Sequence, residues 1–164
     1  MKKRSLFALL MLSMPVCAES NLMLGGGGGY GGHSYHLGLD WRQAWRKLGA
    51  GQLWYGVGVN GSYWESGDDD LLQLSLVPML HYRFEHNGGW TPFLLAGIGP
   101  AWISETRLGP NDLSSQFQFS SRAGIGVAVA HHSLAVEGWH LSNGGIKEPN
   151  DGISSWNLIY RYDF

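Results

Sequence analysis

His140 and Ser142 are the two residues of this chain whose types and spacing best suit nucleophilic chemistry. One residue separates them, and on a β-strand such positions share a face and lie about 6.6 Å apart at Cα. At that spacing the imidazole can take the hydroxyl proton, which activates a serine nucleophile. A structural interpretation competes with this one. An isolated His can serve as an interfacial aromatic, and Ser142 with Asn143 commonly ends a strand and begins a turn.

Strand periodicity surrounds this pair and extends over most of the chain. The last segment is the clearest case, because apolar and aromatic residues alternate there with mainly polar ones from Ser155 to Phe164. Three further segments, near 53–63, 72–84 and 117–129, alternate in the same way. No segment sustains the 3.6-residue period of an α-helix. One short stretch, residues 43–48, also fits a single helical turn. The sequence predicts an all-β protein.

Eight strands are predicted, and their number and length favour a membrane barrel. They run approximately over 20–29, 33–46, 52–65, 71–86, 90–105, 115–130, 132–143 and 153–164. Strands of this length cross a bilayer at a steep tilt, and an even number can close into an antiparallel barrel without a free edge. We therefore predict an eight-stranded antiparallel transmembrane β-barrel, with its longer loops outside, near 29–33, 65–71, 105–115 and 143–153.

The direction in which the apolar side chains point separates a membrane barrel from a soluble one. A small soluble barrel turns apolar side chains inward, whereas a membrane barrel turns them toward lipid. Aromatic rings near strand ends predict an interfacial girdle of Trp54, Tyr63, Trp64, Tyr82, Trp90, Trp102, Tyr162 and Phe164. On the polar face, Arg83, Arg122, Glu137 and Arg161 are predicted to pair inside a narrow lumen. A terminal aromatic strand ending on Phe164 resembles the C-terminal signature of bacterial outer-membrane barrels.

Composition excludes several classes of protein. The 164 residues suffice for one domain, and 15% charged beside 44% apolar residues excludes a disordered charged tail. The formal net charge of −2 provides no basic surface for nucleic acid. The histidines have no metal-ligand spacing with Cys or carboxylates, so neither a metal nor a cofactor is expected.

The first eighteen residues (1–18) predict a secretory signal peptide. Lys2–Arg4 precede a short apolar run, and small residues occupy positions −3 and −1 of a cut before Glu19. The run is too short for a spanning helix. Acylation at Cys17 is an alternative that the residues before it disfavour. Cleavage would leave 19–164 as the barrel domain, with 8 basic and 13 acidic residues, a net charge of −5, and no cysteine.

The block from His140 to Gly152, HLSNGGIKEPNDG, resembles the lipid A 3-O-deacylases of the PagL type. Those proteins are outer-membrane barrels that hydrolyse the ester-linked acyl chain at position 3 of lipid A. The resemblance extends over nearly all of the predicted mature chain. Its other stretches, in family order, are Gly38-Leu39-Asp40-Trp41, Tyr63-Trp64-Glu65, Pro92-Phe93, Ala96-Gly97-Ile98-Gly99 and Thr106-Arg107-Leu108-Gly109.

The resemblance implies a role for each residue of the site. Ser142 matches the nucleophile and His140 the general base of a carboxylic-ester hydrolase. Asn143, Asn150 and the backbone amide of Gly145 are candidates to hold the oxyanion. The implied substrate is lipid A or lipopolysaccharide in the outer leaflet of the bacterial outer membrane. The resemblance leaves open whether the protein is a monomer or a homodimer.

The sequence departs from the family pattern at Ser154. The family has there a Glu that orients the His, and a serine can accept a hydrogen bond but carries no charge to stabilise the imidazolium. Glu148, Asp151 or Glu137 would be the alternative sources of a carboxylate. A weakened or rearranged esterase is the favoured hypothesis. A non-catalytic barrel acting in lipid binding or structure is the second, and a soluble barrel that binds small apolar ligands is the third.

Overall fold

The computed structural model describes residues 18–29 and 32–164, whose regular structure consists of β-strands. The predicted signal peptide lies outside the described residues except for Ala18, which begins the first strand. The strands are β1 (Ala18–Gly29), β2 (Gly32–Lys47), β3 (Gly51–Ser66), β4 (Asp69–Phe84), β5 (Thr91–Ile103), β6 (Arg107–Leu108), β7 (Asn111–Asp112), β8 (Phe117–Val129), β9 (His132–Ser142) and β10 (Ile153–Asp163).

Eight of these strands close into an antiparallel barrel, which confirms the predicted fold class. Their order around the barrel is β1-β10-β9-β8-β5-β4-β3-β2, and β1 pairs with both β2 and β10. The predicted strand bounds agree with the observed ones within two residues. The helical turn considered at 43–48 is absent from this described segment, because β2 continues to Lys47 with a bulge between Ala44 and Arg46. Within residues 18–29 and 32–164, no helix is long and apolar enough to cross a membrane.

The exterior of the barrel is apolar and the interior is polar. Successive side chains of a strand point to opposite faces, so one alternating pattern fixes both surfaces. Leu72, Leu74 and Leu76 of β4 are exposed, whereas Gln73 and Ser75 between them are buried. This is the arrangement of a membrane barrel, and it excludes the soluble binder of apolar ligands.

Two members of the predicted aromatic girdle point inward instead. Tyr55 and Tyr63 of β3 face outward, and alternation therefore turns Trp54 and Trp64 into the barrel, where both are buried. The Arg83 guanidinium lies 4.6 Å from the ring centroid of Trp54, and Trp64 Nε1 donates a hydrogen bond of 2.8 Å to Gln73. Strand parity outweighs the tendency of Trp to collect at interfaces.

The predicted charge pairs inside the lumen are confirmed. Asp40 accepts hydrogen bonds from Arg122 at 2.7 Å and from Arg161 at 3.1 Å, and Arg161 also pairs with Glu137 at 2.5 Å. Nearer the end of the barrel that carries the short turns after β2 and β4, Arg83 pairs with Glu19 at 2.6 Å. The network around Asp40 connects four strands, β2, β8, β9 and β10, across the barrel axis.

Removing the shared carboxylate of this network should destabilise the barrel strongly. In Asp40→Ala, two buried guanidinium groups lose a partner, and we expect a loss of about 3–5 kcal/mol in the free energy of unfolding. Urea unfolding in detergent micelles measures it. Lys47→Ala is the matched control, because its 3.2 Å pair with Glu85 is exposed and should contribute less than about 1 kcal/mol. Equal shifts for the two variants would contradict the prediction.

Candidate active site

Buried neighbours fix the direction of the candidate catalytic side chains. Leu141 of β9 and Ile153 of β10 are register partners, and both are fully buried in an apolar cluster at the loop-bearing end of the barrel. Because strand side chains alternate, burying Leu141 turns His140 and Ser142 outward, and burying Ile153 turns Ser154 outward. The three polar side chains therefore lie on the outer wall, where the last two strands meet the loops.

His140 and Ser154 are directly hydrogen-bonded. They are register partners on neighbouring strands, and His140 Nδ1 lies 2.8 Å from Ser154 Oγ. His140 is exposed and Ser154 is half-buried. Ser142 is half-buried on the same face of β9, two residues from His140, and its hydroxyl makes no hydrogen bond with any residue that the structure describes. With Nδ1 occupied, Nε2 is the ring nitrogen left for a second partner.

Gly152 packs against the imidazole near its Cε1 atom. Its φ of +63° lies in the left-handed region, which glycine adopts without the cost that a Cβ imposes. A Cβ at this position would lie 2.9 Å from His140 Cε1, closer than normal contact allows. The glycine thus permits the loop to turn back beside the ring and restricts where the ring can lie.

Asn143 organises the loop after the site. Its fully buried side chain donates to the carbonyls of Leu113 at 3.0 Å and Lys147 at 2.7 Å, and it accepts the Gly145 N–H at 2.9 Å. The Asn143 N–H donates to Asn150 Oδ1 at 3.0 Å. The Asn150 NH2 group has no hydrogen-bond partner among the described residues, so it is an uncharged side-chain donor of this loop that is still available.

The loop between β5 and β8 is hydrogen-bonded to the loop between β9 and β10, which follows the candidate site. The backbone N–H of Asp112 donates to Asp151 Oδ2 at 2.8 Å, and the Asp151 N–H returns a bond of 3.2 Å to the Asp112 carbonyl. The pKa of the Asp112 carboxyl lies below its ordinary value, because it accepts the backbone N–H of Ser114 and pairs with Arg107. Ser114 Oγ also donates to the Pro149 carbonyl.

None of the three carboxylates that could replace the Glu expected from the resemblance is bonded to His140. Glu137 is buried in the lumen, where it accepts hydrogen bonds from Arg161 and Trp139. Asp151 is occupied by the Asp112 amide, and Glu148 lies exposed in the loop. In the described part of the chain, no acidic side chain is hydrogen-bonded or ion-paired to His140, and Ser154 is the group at its Nδ1.

A short ribbon of β6 and β7, which the sequence did not predict, supports the site. We predicted a loop at 105–115, whereas this segment forms a two-stranded ribbon that buries Leu108 and Leu113 beside Leu141. Gly109-Pro110, a turn sequence between the two short strands, was the available signal. Within the described residues, no three His, Cys, Asp or Glu side chains group closely enough to hold a metal ion.

These features define a class: a closed eight-stranded barrel of the outer-membrane type, with a serine–histidine pair on its lipid-facing wall. Comparison with known proteins identifies the family. The family model described as "Lipid A 3-O-deacylase (PagL)" matches residues 29–163. The chain belongs to the PagL family, as its resemblance predicted.

Individual relatives agree with this assignment. The chain is 39% identical over 141 residues to the lipid A deacylase PagL of Pseudomonas aeruginosa, covering 83% of this chain and 81% of that protein. It is 28% identical over 181 residues to the lipid A deacylase PagL of Bordetella bronchiseptica, covering 99% and 97%. A crystal structure of the outer membrane enzyme PagL superposes with a TM-score of 0.80 at 35% identity, covering 87% of this chain and 98% of that one.

Proposed function

We propose that this protein is an outer-membrane serine esterase that removes the ester-linked acyl chain at position 3 of lipid A. The observation that carries the proposal is the hydrogen bond between His140 Nδ1 and Ser154 Oγ on the outer wall, with Ser142 on the same face. It occurs in a chain that belongs to a deacylase family. The site lies at the loop-bearing end, where a barrel with external loops meets the outer leaflet.

In the proposed first step, Ser142 Oγ attacks the ester carbonyl and His140 Nε2 takes its proton. Nε2 is free for this role when the Nδ1–H donates to Ser154 Oγ, which fixes the tautomer of the ring. The tetrahedral intermediate collapses, and the imidazolium gives its proton to the departing sugar oxygen. Water, activated by the same imidazole, then cleaves the acyl-serine and releases the fatty acid.

Asn150 is proposed as the donor to the oxyanion. The Asn143 N–H holds its carbonyl oxygen, which leaves its NH2 group to face the substrate. Asn143 and Gly145 are assigned to support, because their polar groups already bond within the loop. A preorganised donor of this kind can contribute a few kcal/mol to transition-state stabilisation.

Ser154 holds the ring but brings no charge. A neutral partner orients His140 without stabilising the imidazolium that forms during attack, so we infer a slower esterase than one with a carboxylate at this position. The same residue favours the second candidate function, a non-catalytic barrel that binds lipid or acts as a structural element.

Mass spectrometry of lipid A separates these two functions. Cells that express the protein should yield lipid A lighter by one 3-hydroxyacyl group than cells carrying an empty vector. Outer-membrane fractionation and heat-modifiable migration on gels establish that the barrel is inserted and folded. Identical lipid A spectra from cells with folded barrel would reject the esterase and leave the non-catalytic function.

The Gly152 contact provides an independent test of the proposed general base. Gly152→Ala imposes a Cβ 2.9 Å from His140 Cε1 and should displace the ring, lowering kcat about 10²-fold. Gly67→Ala is the matched control, because Gly67 has a similar φ of +65° and no atom within 4 Å of the added Cβ. Deacylation rates of the purified variants in detergent measure the effect. Equal rates for the two variants would argue against a positioned imidazole.

A further inference from the structure

Two residues of the proposed site flank Asp151 in the loop between β9 and β10. Asn150, the proposed donor to the oxyanion, precedes it, and Gly152, which packs beside the His140 ring, follows it. Adjacent residues of one chain are joined at a fixed Cα separation of about 3.8 Å. Whatever fixes the backbone at Asp151 therefore also restricts the Asn150 amide and the glycine beside the imidazole.

The hydrogen bonds of Asp151 join this loop to the ribbon of β6 and β7. Its Oδ2 accepts the Asp112 N–H at 2.8 Å, and its own N–H donates to the Asp112 carbonyl at 3.2 Å. One residue thus connects the two loops through its side chain and through its backbone. Because two bonds between the same pair of residues restrict orientation as well as distance, the segment around Asp151 is held in one direction.

Ser114 provides a second attachment between the ribbon and the loop. Its φ of +60° lies in the left-handed region, which a residue with a side chain adopts at a cost unless its surroundings hold it there. Asp112 Oδ1 accepts the Ser114 N–H at 2.9 Å, and the same carboxylate pairs with Arg107 at 3.0 Å. The Ser114 hydroxyl donates to the Pro149 carbonyl. The segment 149–151 is therefore attached to the ribbon at both of its ends.

The ribbon is itself fixed to the end of the barrel. Leu108 and Leu113 are fully buried in the apolar cluster there, and the Leu113 carbonyl accepts the Asn143 side-chain amide at 3.0 Å. On another side, the Gly109 N–H donates to Asp69 Oδ2 at 3.1 Å. An element packed in this way holds a neighbouring loop more exactly than a free loop would.

We propose that Asp151 is a positioning residue of the deacylase, which fastens the loop to the ribbon and thereby holds Asn150 and Gly152 in place. The inference rests on the proposed function. The carboxylate acts through the Asp112 amide and takes no part in the proton transfer. This role differs from that of a carboxylate at the imidazole, because the Asp151 side chain bonds to the ribbon and not to His140.

Removing the carboxylate should slow the chemical step. In Asp151→Ala the Asp112 N–H loses its partner, and we expect kcat to fall about tenfold with KM within about twofold, because the oxyanion donor shifts while the rest of the site remains. Asp151→Asn keeps an oxygen that accepts the same N–H, so its kcat should stay within about threefold of the wild type. The measurement is fatty acid release from a 2,3-diacylglucosamine 1-phosphate in detergent.

Glu148→Ala is the matched control for the loss of a negative charge. Glu148 is an exposed acidic residue of the same loop, and its side chain has no hydrogen-bond partner among the described residues. Its removal should leave kcat within about twofold of the wild type. Heat-modifiable migration on gels establishes that each variant is folded. A folded Asp151→Ala with the kcat of Glu148→Ala would overturn the positioning role and leave the esterase standing.

A double variant tests whether the effect of Asp151 passes through Asn150. Asn150→Ala removes the proposed oxyanion donor, so adding Asp151→Ala to it should lower kcat by less than about threefold more. Two independent effects would multiply instead, as expected for a general loss of structure. A further tenfold loss in the Asn150→Ala background would therefore contradict the assignment.

Limited proteolysis reports on the attachment without catalysis. Trypsin cleavage after Lys147, in the same loop, should be faster in folded Asp151→Ala than in the wild type or Asp151→Asn, because the loop opens more often once it is released. Equal cleavage rates for the three proteins would show that Asp151 does not hold the loop. A folded wild type that released no fatty acid would reject the esterase, and this role with it.

Discussion

Replacing Ser142 by Ala is expected to lower lipid A deacylation by roughly 10³-fold or more, because the variant retains the site but has no nucleophile. His140→Ala should cause a comparable loss. The double variant should be little worse than either single one, since nucleophile and base act as a unit. The measurement is fatty acid release by purified protein in detergent, together with the mass of lipid A from expressing cells.

Ser121→Ala is the matched control for this prediction. Ser121 is another outward-facing serine, and it is the register partner of His140 on β8, with its Oγ 3.5 Å from the His140 carbonyl. Losing this hydroxyl removes a neighbouring polar group and leaves the proposed proton path intact, so the rate should change by less than about threefold. If Ser142→Ala retained the wild-type rate while folded, the serine-esterase mechanism would be wrong.

Ser154→Glu is expected to accelerate the reaction, with a gain between about tenfold and 10⁴-fold, since losing the charged member of a triad costs up to the latter amount. Ser154 already lies 2.8 Å from His140 Nδ1 on the outer wall, so a carboxylate placed there reaches the ring that it must orient. The charge stabilises the imidazolium formed during attack, which the hydroxyl does not. Steady-state kcat on a defined glycolipid is the measurement.

Two further substitutions at this position separate charge from size and from hydrogen bonding. Ser154→Gln has nearly the size of Glu without its charge, and should show little of the gain. Ser154→Ala removes the acceptor for Nδ1 and should fall below the wild type. No increase in Ser154→Glu would mean that another group stabilises His140 during the reaction, and it would contradict the assignment of Ser154 as the orienting residue.

The alternation of the sequence was sufficient to predict the barrel and the outward direction of the site. A strand has a side-chain period of two, so Leu141 between His140 and Ser142 forces the latter two to share a face. The same rule, applied to β3, would have placed Trp54 and Trp64 inside. The girdle prediction was wrong for these two residues, because the parity of the strand outweighs the interfacial preference of Trp.

What the sequence by itself determined was therefore local: the strands, their two faces, and a serine at position 154, where the resemblance predicts a Glu. The tertiary structure decided which groups meet. The register between β9 and β10 places Ser154 at His140 Nδ1, and the ribbon of β6 and β7 holds Asp151 away from the ring. Such contacts join residues far apart in sequence, and they depend on strand pairing and loop packing, which periodicity along one segment does not encode.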